Sequence, residues 1–336
     1  MVVGVVIFVK RLEDIGERAA IQQIEKILTP GKNSRGIGDD CAMIECADEY
    51  LLITTDMMSQ QTHVPKQMTP YQMGWFLVAM NLSDIAAKGG TPLGVVCSYG
   101  LPRRTLESFL RALTKGADAC AVRCGTHIVG GDTKETTEIT LCATAFGTVK
   151  KNECMLRAGA RAGDIIAVTG HLGSAGAGYH ALKQQKQAQK LSKGLFEPMP
   201  RLKEGRLLAQ QHSVTSSMDL SDGLSSSLYQ LQEINAMGFE IQESTVPLAQ
   251  GLSQVFGKHQ KRKLYNVALH FGGDYELLVT IQPEHFQCTQ QTLQKHGSSL
   301  TAIGRVTKKK EITLLEGRTK TILKNKGYEH FTRHSF

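Results

Sequence analysis

The chain has 336 residues, 41% apolar and 21% charged, which is long enough for two domains with a core each and too apolar for a disordered chain. A formal charge of +8 and a pI near 9.0 attract anions of any kind. The basic runs at 183–193, 258–263 and 308–310 carry almost no aromatic residue that could stack on a base, so no nucleic-acid partner is expected.

The apolar run at 2–9 falls far short of the ~20 residues a membrane span needs. No small-residue cleavage site follows it, so a cytoplasmic protein with no membrane partner is expected. Residues 15–28 place Ile21, Ile24, Ile27 and Leu28 at helical spacing, and Thr29-Pro30-Gly31 ends that helix. Next comes Gly36-Ile37-Gly38-Asp39-Asp40, two adjacent carboxylates on a turn whose glycines let backbone approach a ligand. Magnesium takes oxygen ligands, commonly one or two carboxylates with substrate phosphates, so this stretch is either a nucleotide-metal site or a plain tight turn. Strands at 42–46 and 50–55 form a hairpin that brings Asp56 back beside Asp40.

Thr69-Pro70 starts a helix with Thr as N-cap and Pro at the first helical position, running to Gly89-Gly90. Residues 74–80 are apolar throughout, which implies burial on several sides, and Asn81, Asp84 and Lys88 then share one stripe. A buried Asp84 needs a partner, and both a metal ion and Lys88 qualify. A strand at 93–99, a helix at 106–124 capped by Thr105 and a strand at 138–149 follow, with Gly130-Gly131-Asp132-Thr133 between the last two as a phosphate-approaching loop or a hairpin turn. Eight cysteines form no Cys-x-x-Cys pair, and Cys120 and Cys124 have no partners at zinc-finger spacing, so all read as reduced core thiols.

The polar connector 150–161 separates expected domains at 1–152 and 153–336, the second opening with a strand at 164–168. Residues 170–178 are glycine-rich ahead of a helix but lack the Gly-Lys-Ser/Thr ending of a P-loop. Residues 183–194 read as an exposed helix end or loop. A strand at 216–220 feeds Ser221-Asp222-Gly223-Leu224 and a helix to about Met237, so Asp222 is a site residue or an N-cap. Strands at 275–281 and 300–306 complete a second α/β half.

Six stretches together, 36–42, 54–56 with His63, 81–90, 130–133, 218–224 and 272–278, stand in an order and spacing that resembles the thiamine-monophosphate kinase family of the aminoimidazole-ribonucleotide-synthetase-like superfamily. The resemblance implies a two-domain α/β (α+β) fold whose N-terminal sheet pairs into a dimer barrel. It implies transfer of the γ-phosphoryl group of ATP to thiamine phosphate, with several Mg²⁺ ions and a homodimer. Matched residue by residue, it assigns Asp40, Thr54, Thr55, Asp56, Asp84, Asp132, Asp219 and Asp222 to metal. Gly131, Asp132, Arg157 and Ser221 fall to ATP, Asp222 and Arg157 to catalysis, and His63, Asp274 and Tyr328 to the thiamine side. The family usually has Gly-Gly-Glu-Asp-Tyr-Glu-Leu where this chain has Gly272-Gly273-Asp274-Tyr275-Glu276-Leu277, so the acid near thiamine is Asp274 or absent, and Thr114 stands where a tyrosine often meets adenine. A rival in the superfamily, selenophosphate synthetase, is expected to carry a reactive Cys or selenocysteine before the acidic turn. Nothing before Gly36 supplies one.

Overall fold

The computed structural model describes residues 10–185 and 188–331, so the apolar run at 2–9, and 186–187 of the basic run, lie outside the described residues. The first half runs α1 (Leu12–Ile27), β1 (Ser34–Arg35), β2 (Ala42–Cys46), β3 (Glu49–Ser59), α2 (Gln60–His63), α3 (Pro70–Ala87), β4 (Thr91–Leu101), α4 (Glu107–Arg123), β5 (Ile128–Glu135) and β6 (Thr140–Lys150). Its strands form one sheet in the order β1-β2-β3-β6-β4-β5, antiparallel except for the β4–β5 pair.

The second half runs β7 (Ile165–Thr169), α5 (Ser174–Gln184), α6 (Ala188–Leu191), α7 (Lys193–Phe196), α8 (Leu202–Gln210), β8 (Val214–Asp219), α9 (Leu224–Asn235), β9 (Gly238–Gln242), α10 (Gln250–Phe256), α11 (Lys261–His270), β10 (Leu277–Ile281), α12 (Pro283–Lys295), β11 (Leu300–Thr307), β12 (Ile312–Glu316) and β13 (Thr319–Ile322). Its sheet has the order β13-β12-β9-β11-β7-β10-β8, with only β12–β9 parallel.

The helix α3 starts where Thr69-Pro70 directs. Thr69 accepts the N–H of Gln72 at 3.3 Å while the Gln72 side chain accepts the N–H of Thr69 at 3.0 Å, a reciprocal cap. From Leu77 to Ala87 every residue but Asp84 is buried, because the helix lies between the first sheet, α4 and the second half. Its crossing with α4 is close: a Cβ on Gly74 would meet the Leu113 carbonyl oxygen at 1.9 Å, and one on Gly116 the Tyr71 carbonyl oxygen at 1.8 Å. The C-terminal end of α3 then enters a cluster with Met155, Leu208, Leu277, Val279 and Leu293 from the second half.

Three expectations are corrected. Gly130-Gly131-Asp132-Thr133 is neither a loop nor a hairpin turn but the middle of β5, paired in parallel with β4 at the sheet edge. The N-cap of α4 is Leu106, not Thr105, and that of α9 is Gly223, so Asp222 does not cap a helix. Cys46 and Cys288 are exposed, although all eight cysteines are free thiols. No described helix is long and apolar enough to cross a membrane.

Candidate phosphate and metal site

The acidic turn is organised by one buried cation. Lys88, at the C-terminal end of α3, has no exposed surface, and its ammonium contacts Asp39 Oδ1 and lies 2.7 Å from Asp40 Oδ2. It does not pair with Asp84, which corrects one of the two partners open to it in the sequence. Arg157, from the connector, donates from Nε to Asp40 Oδ1 at 2.9 Å and from its backbone N–H to Asp39 Oδ2 at 3.1 Å, and its guanidinium reaches Gln230 at 3.0 Å. Burial pushes the Asp40 carboxyl up, but Arg157 and Lys88 hold it below the usual carboxylate range. For the turn to close this way Gly36 and Gly38 take φ of 149° and 87°.

The remaining acids have no such cations. Among the described residues Asp56, Asp84, Asp219 and Asp222 make no ion pair. Adjacent positions on α3 serve opposite sides: Asp84 accepts the Thr54 hydroxyl at 2.5 Å from β3, and Ser83 donates to Asp219 Oδ2 at 2.6 Å at the end of β8. Burial, then the charges of Asp56, Asp219 and Asp40, push Asp84 well above its ordinary range. Burial and Asp40 push Asp219 to about 7. Asp56 rises to about 6 through burial, Asp222 and Asp40, and Asp222 to about 6 through burial and Glu17.

Carboxylate oxygens of Asp40, Asp84 and Asp219 lie within 4.8 Å of one another. Hard, buried oxygen donors with more negative charge than Lys88 and Arg157 neutralise are what a small divalent cation takes. The structure therefore brings Asp40, Asp84 and Asp219 around one place, with Thr54 bonded to Asp84, Arg157 to Asp40, and Asp56 and Asp222 close enough for their charges to act on each other or on Asp40; Ser221 is placed only by its position in the chain beside Asp222. It does not bring Thr55 there by its hydroxyl, which alternation puts on the other face of β3, bonded to the Ala143 carbonyl at 3.0 Å. Gly131 and Asp132 stand on the exposed edge strand, with Asp132 3.7 Å from Lys134.

At the other end, α1 and the C-terminal tail meet. The Tyr328 N–H donates to the Asp222 carbonyl at 3.2 Å, and the His330 N–H to Glu17 at 3.1 Å. The His330 ring lies 4.9 Å from Tyr328 and 5.3 Å from His63, so it joins the two residues assigned to the thiamine side. Burial, with His330 beside it, lowers His63 to about 4, so the ring is neutral. His330 carried no sequence signal beyond its place in the tail motif. Asp274 lies elsewhere: its two oxygens accept the N–H groups of Gly173 and Ala175 at 2.6 and 3.0 Å, at the start of α5.

Comparison with known proteins adds relatives to this geometry. Residues 38–149 match the N-terminal domain of the AIR synthase related proteins, and 161–316 their C-terminal domain. A thiamine-monophosphate kinase of Methanospirillum hungatei is 34% identical over 307 residues, covering 91% of this chain and 97% of that one. One from Bacillus subtilis is 32% identical over 308 residues, covering 88% and 93%. Among solved structures, AaThiL complexed with AMPPCP and TMP superposes with a TM-score of 0.85 at 28% identity, over 96% of this chain and 99% of that one. The hydrogenase maturation protein HypE, 21% identical in its Escherichia coli form with a TM-score of 0.67 over 82% of this chain and 85% of that one, shares the fold.

Removing the cation that organises the turn tests this electrostatic account. Lys88→Met is expected to destabilise the metal-free, nucleotide-free protein by about 3 kcal/mol or more, because the buried Asp40 and the partly buried Asp39 lose a partner. Urea unfolding measures it, and a change below about 1 kcal/mol would show that Lys88 is not what holds Asp39 and Asp40.

Proposed function

This chain belongs to the AIR synthase related family, in its thiamine-monophosphate kinase branch, and from that premise we propose that it transfers the γ-phosphoryl group of ATP directly, in line, to the phosphate of thiamine phosphate, giving thiamine diphosphate. The observation that carries the reading is the convergence of Asp40, Asp84 and Asp219, from a turn, a helix and a strand end, on one place. The bound ATP analogue and TMP of the structural relative supply the two substrates.

In this reading residues 1–152 bind metal and ATP and dimerise, and 153–336 complete the site. Asp40, Thr54, Asp56, Asp84, Asp219 and Asp222 would hold several Mg²⁺ ions; Thr55 and Asp132, which the resemblance also assigns to metal, stand apart from that place, Thr55 by the face of β3 its hydroxyl takes and Asp132 on the edge strand β5. Bound there, Mg²⁺ supplies neutralising charge between the two polyanions. The acceptor is already an anionic phosphate oxygen and needs no deprotonation, so a catalytic base is superfluous and the work is positioning. Arg157 and Ser221 face the nucleotide phosphates, Arg157 offering the guanidinium charge that Asp40 and Gln230 keep oriented. Gly131 and Asp132 meet ATP from the edge strand. His63 and Tyr328 belong to the thiamine side, a neutral His63 suiting a cationic ring system better than an imidazolium would, while Asp274, which the resemblance also assigns there, is held apart at the start of α5.

A homodimer forms through the first sheet. Leu51, Ile53, Met57 and Phe146 lie on its face away from α3, and Met57 is 60% exposed, so a second copy gives that face something to bury against.

ATP, Mg²⁺ and thiamine phosphate together are expected to yield thiamine diphosphate, and ATP turnover indifferent to thiamine phosphate would defeat the assignment. Asp56→Asn and Asp222→Asn should each lower turnover by roughly a hundredfold or more with the fold intact. Near-normal activity would return these acids to a structural role. His63→Ala and Tyr328→Ala should raise KM for thiamine phosphate with little change in KM for ATP, and a matching rise for both substrates would remove them from the thiamine side. Light scattering should give twice the chain mass; a stable monomer at micromolar concentration counts against the dimer.

A further inference from the structure

The segment Gly272-Gly273-Asp274-Tyr275-Glu276 contains a conformation that its sequence alone would not choose. Tyr275 has φ of 51°, a left-handed backbone that is unfavourable for a residue with a Cβ. Ala47, Gln185, His212, Ala236 and Phe331 share it among the described non-glycine residues, and all five are exposed. Tyr275 is 6% exposed. Here the surroundings enforce what solvent tolerates elsewhere.

The enforcement comes from both neighbours. On one side Asp274 is fixed by the Gly173 and Ala175 N–H groups. On the other, Arg201 donates to both Glu276 oxygens at 2.6 Å and Thr169 donates at 2.7 Å. Main-chain bonds close the rest: Gly273 N–H to the Ser221 carbonyl at 2.7 Å, Tyr275 N–H to the Leu220 carbonyl at 3.1 Å, and Leu220 N–H to the Glu276 carbonyl at 2.8 Å. The strained residue is thereby clamped against the chain between Asp219 and Asp222.

The ring of Tyr275 stands edge-on to Phe76 of α3, centroids 5.7 Å apart, in the same core as the first sheet. Packing of that kind asks only for phenylalanine. The hydroxyl makes no hydrogen bond to any described residue and keeps access to solvent, so it is open to a bound ligand. A phenol carries its proton near neutral pH, and this one lies close enough to Asp56, Asp219, Asp222 and Asp84 for their charges to act on it. It is a neutral donor beside four acids that can only accept.

We propose that Tyr275 is a catalytic residue of this site, its phenolic O–H donating a hydrogen bond to an oxygen of the phosphoryl group in transit. This deepens the phosphotransfer reading and rests on it. The γ-phosphorus exchanges its bond to the leaving oxygen of ADP for one to the thiamine phosphate oxygen, and Tyr275 holds its proton throughout. Acids that bind metal cannot themselves donate to phosphate, and a phenol beside them can. The clamp on Asp274 and Glu276 keeps the hydroxyl aimed when no substrate rewards it.

Tyr275→Phe removes one oxygen and leaves the ring, its packing and the backbone. With the full-length protein, Mg²⁺, ATP and thiamine phosphate, kcat is expected to fall roughly ten- to a hundredfold while both KM values stay within about twofold and the melting temperature stays within about 2 °C. Wild-type kinetics in Tyr275→Phe overturn the proposal and leave the kinase reading standing, as does a loss of activity that merely tracks a lower melting temperature. An inactive wild-type protein overturns the kinase reading itself, and this proposal with it.

Discussion

An ammonium group with no exposed surface has to be neutralised where it lies, and in this protein that requirement falls on Lys88. Asp39 and Asp40 meet it, which fixes where the turn 36–40 must pass, and Arg157 completes the account by satisfying the second oxygen of Asp40. Once these two cations are committed to the turn, no cation among the described residues forms an ion pair with Asp56, Asp84, Asp219 or Asp222. Burial first, and then the charges the acids exert on one another, raise their proton affinities, and a cation from outside would relieve both.

The helix α3 makes the arrangement possible because successive side chains on a helix point about 100° apart. Ser83 and Asp84 use that angle to address one sheet each, and Asp84 alone escapes full burial in the stretch from Leu77 to Ala87. Such a helix cannot tilt or slide without moving both sides of the site together. Gly74 and Gly116 lock it further by letting α4 approach to backbone distance.

Local chemistry was legible where it was decided locally. The Thr69-Pro70 cap and the hairpin of β2 and β3 could be read from residue type and spacing, and the local settings of Asp40, Asp84 and Asp219 marked them as candidates. Gly130-Gly131-Asp132-Thr133 could not, since turn-type residues there are drawn into β5 by pairing with β4, where Gly131 is needed because a Cβ would meet the Cys97 carbonyl oxygen at 1.8 Å. Helical spacing grouped Asp84 with Lys88, but it says nothing of a turn arriving from 49 residues upstream of Lys88. The strand β9 escaped notice because its partners β11 and β12 are distant in sequence, and the hairpin of β12 and β13 was also missed. The clamp around Tyr275 was invisible for the same reason: Gly173, Arg201 and Glu276 meet only in three dimensions.

The connector that carries Arg157 has a bearing on how this protein could be cut or rebuilt. Its backbone carbonyl at Arg157 accepts from Ser216 at 2.8 Å and Asn235 at 3.0 Å, while its guanidinium is spent on Asp40 in the other half. Cleavage just before it would leave Asp40 interred with half its counter-charge; cleavage after it would strip β8 and α9 of a contact they share. Two halves that look modular along the chain are thus electrically indivisible. Exchange of one half between relatives, or circular permutation opened in this segment, would have to carry the arginine and its acid together.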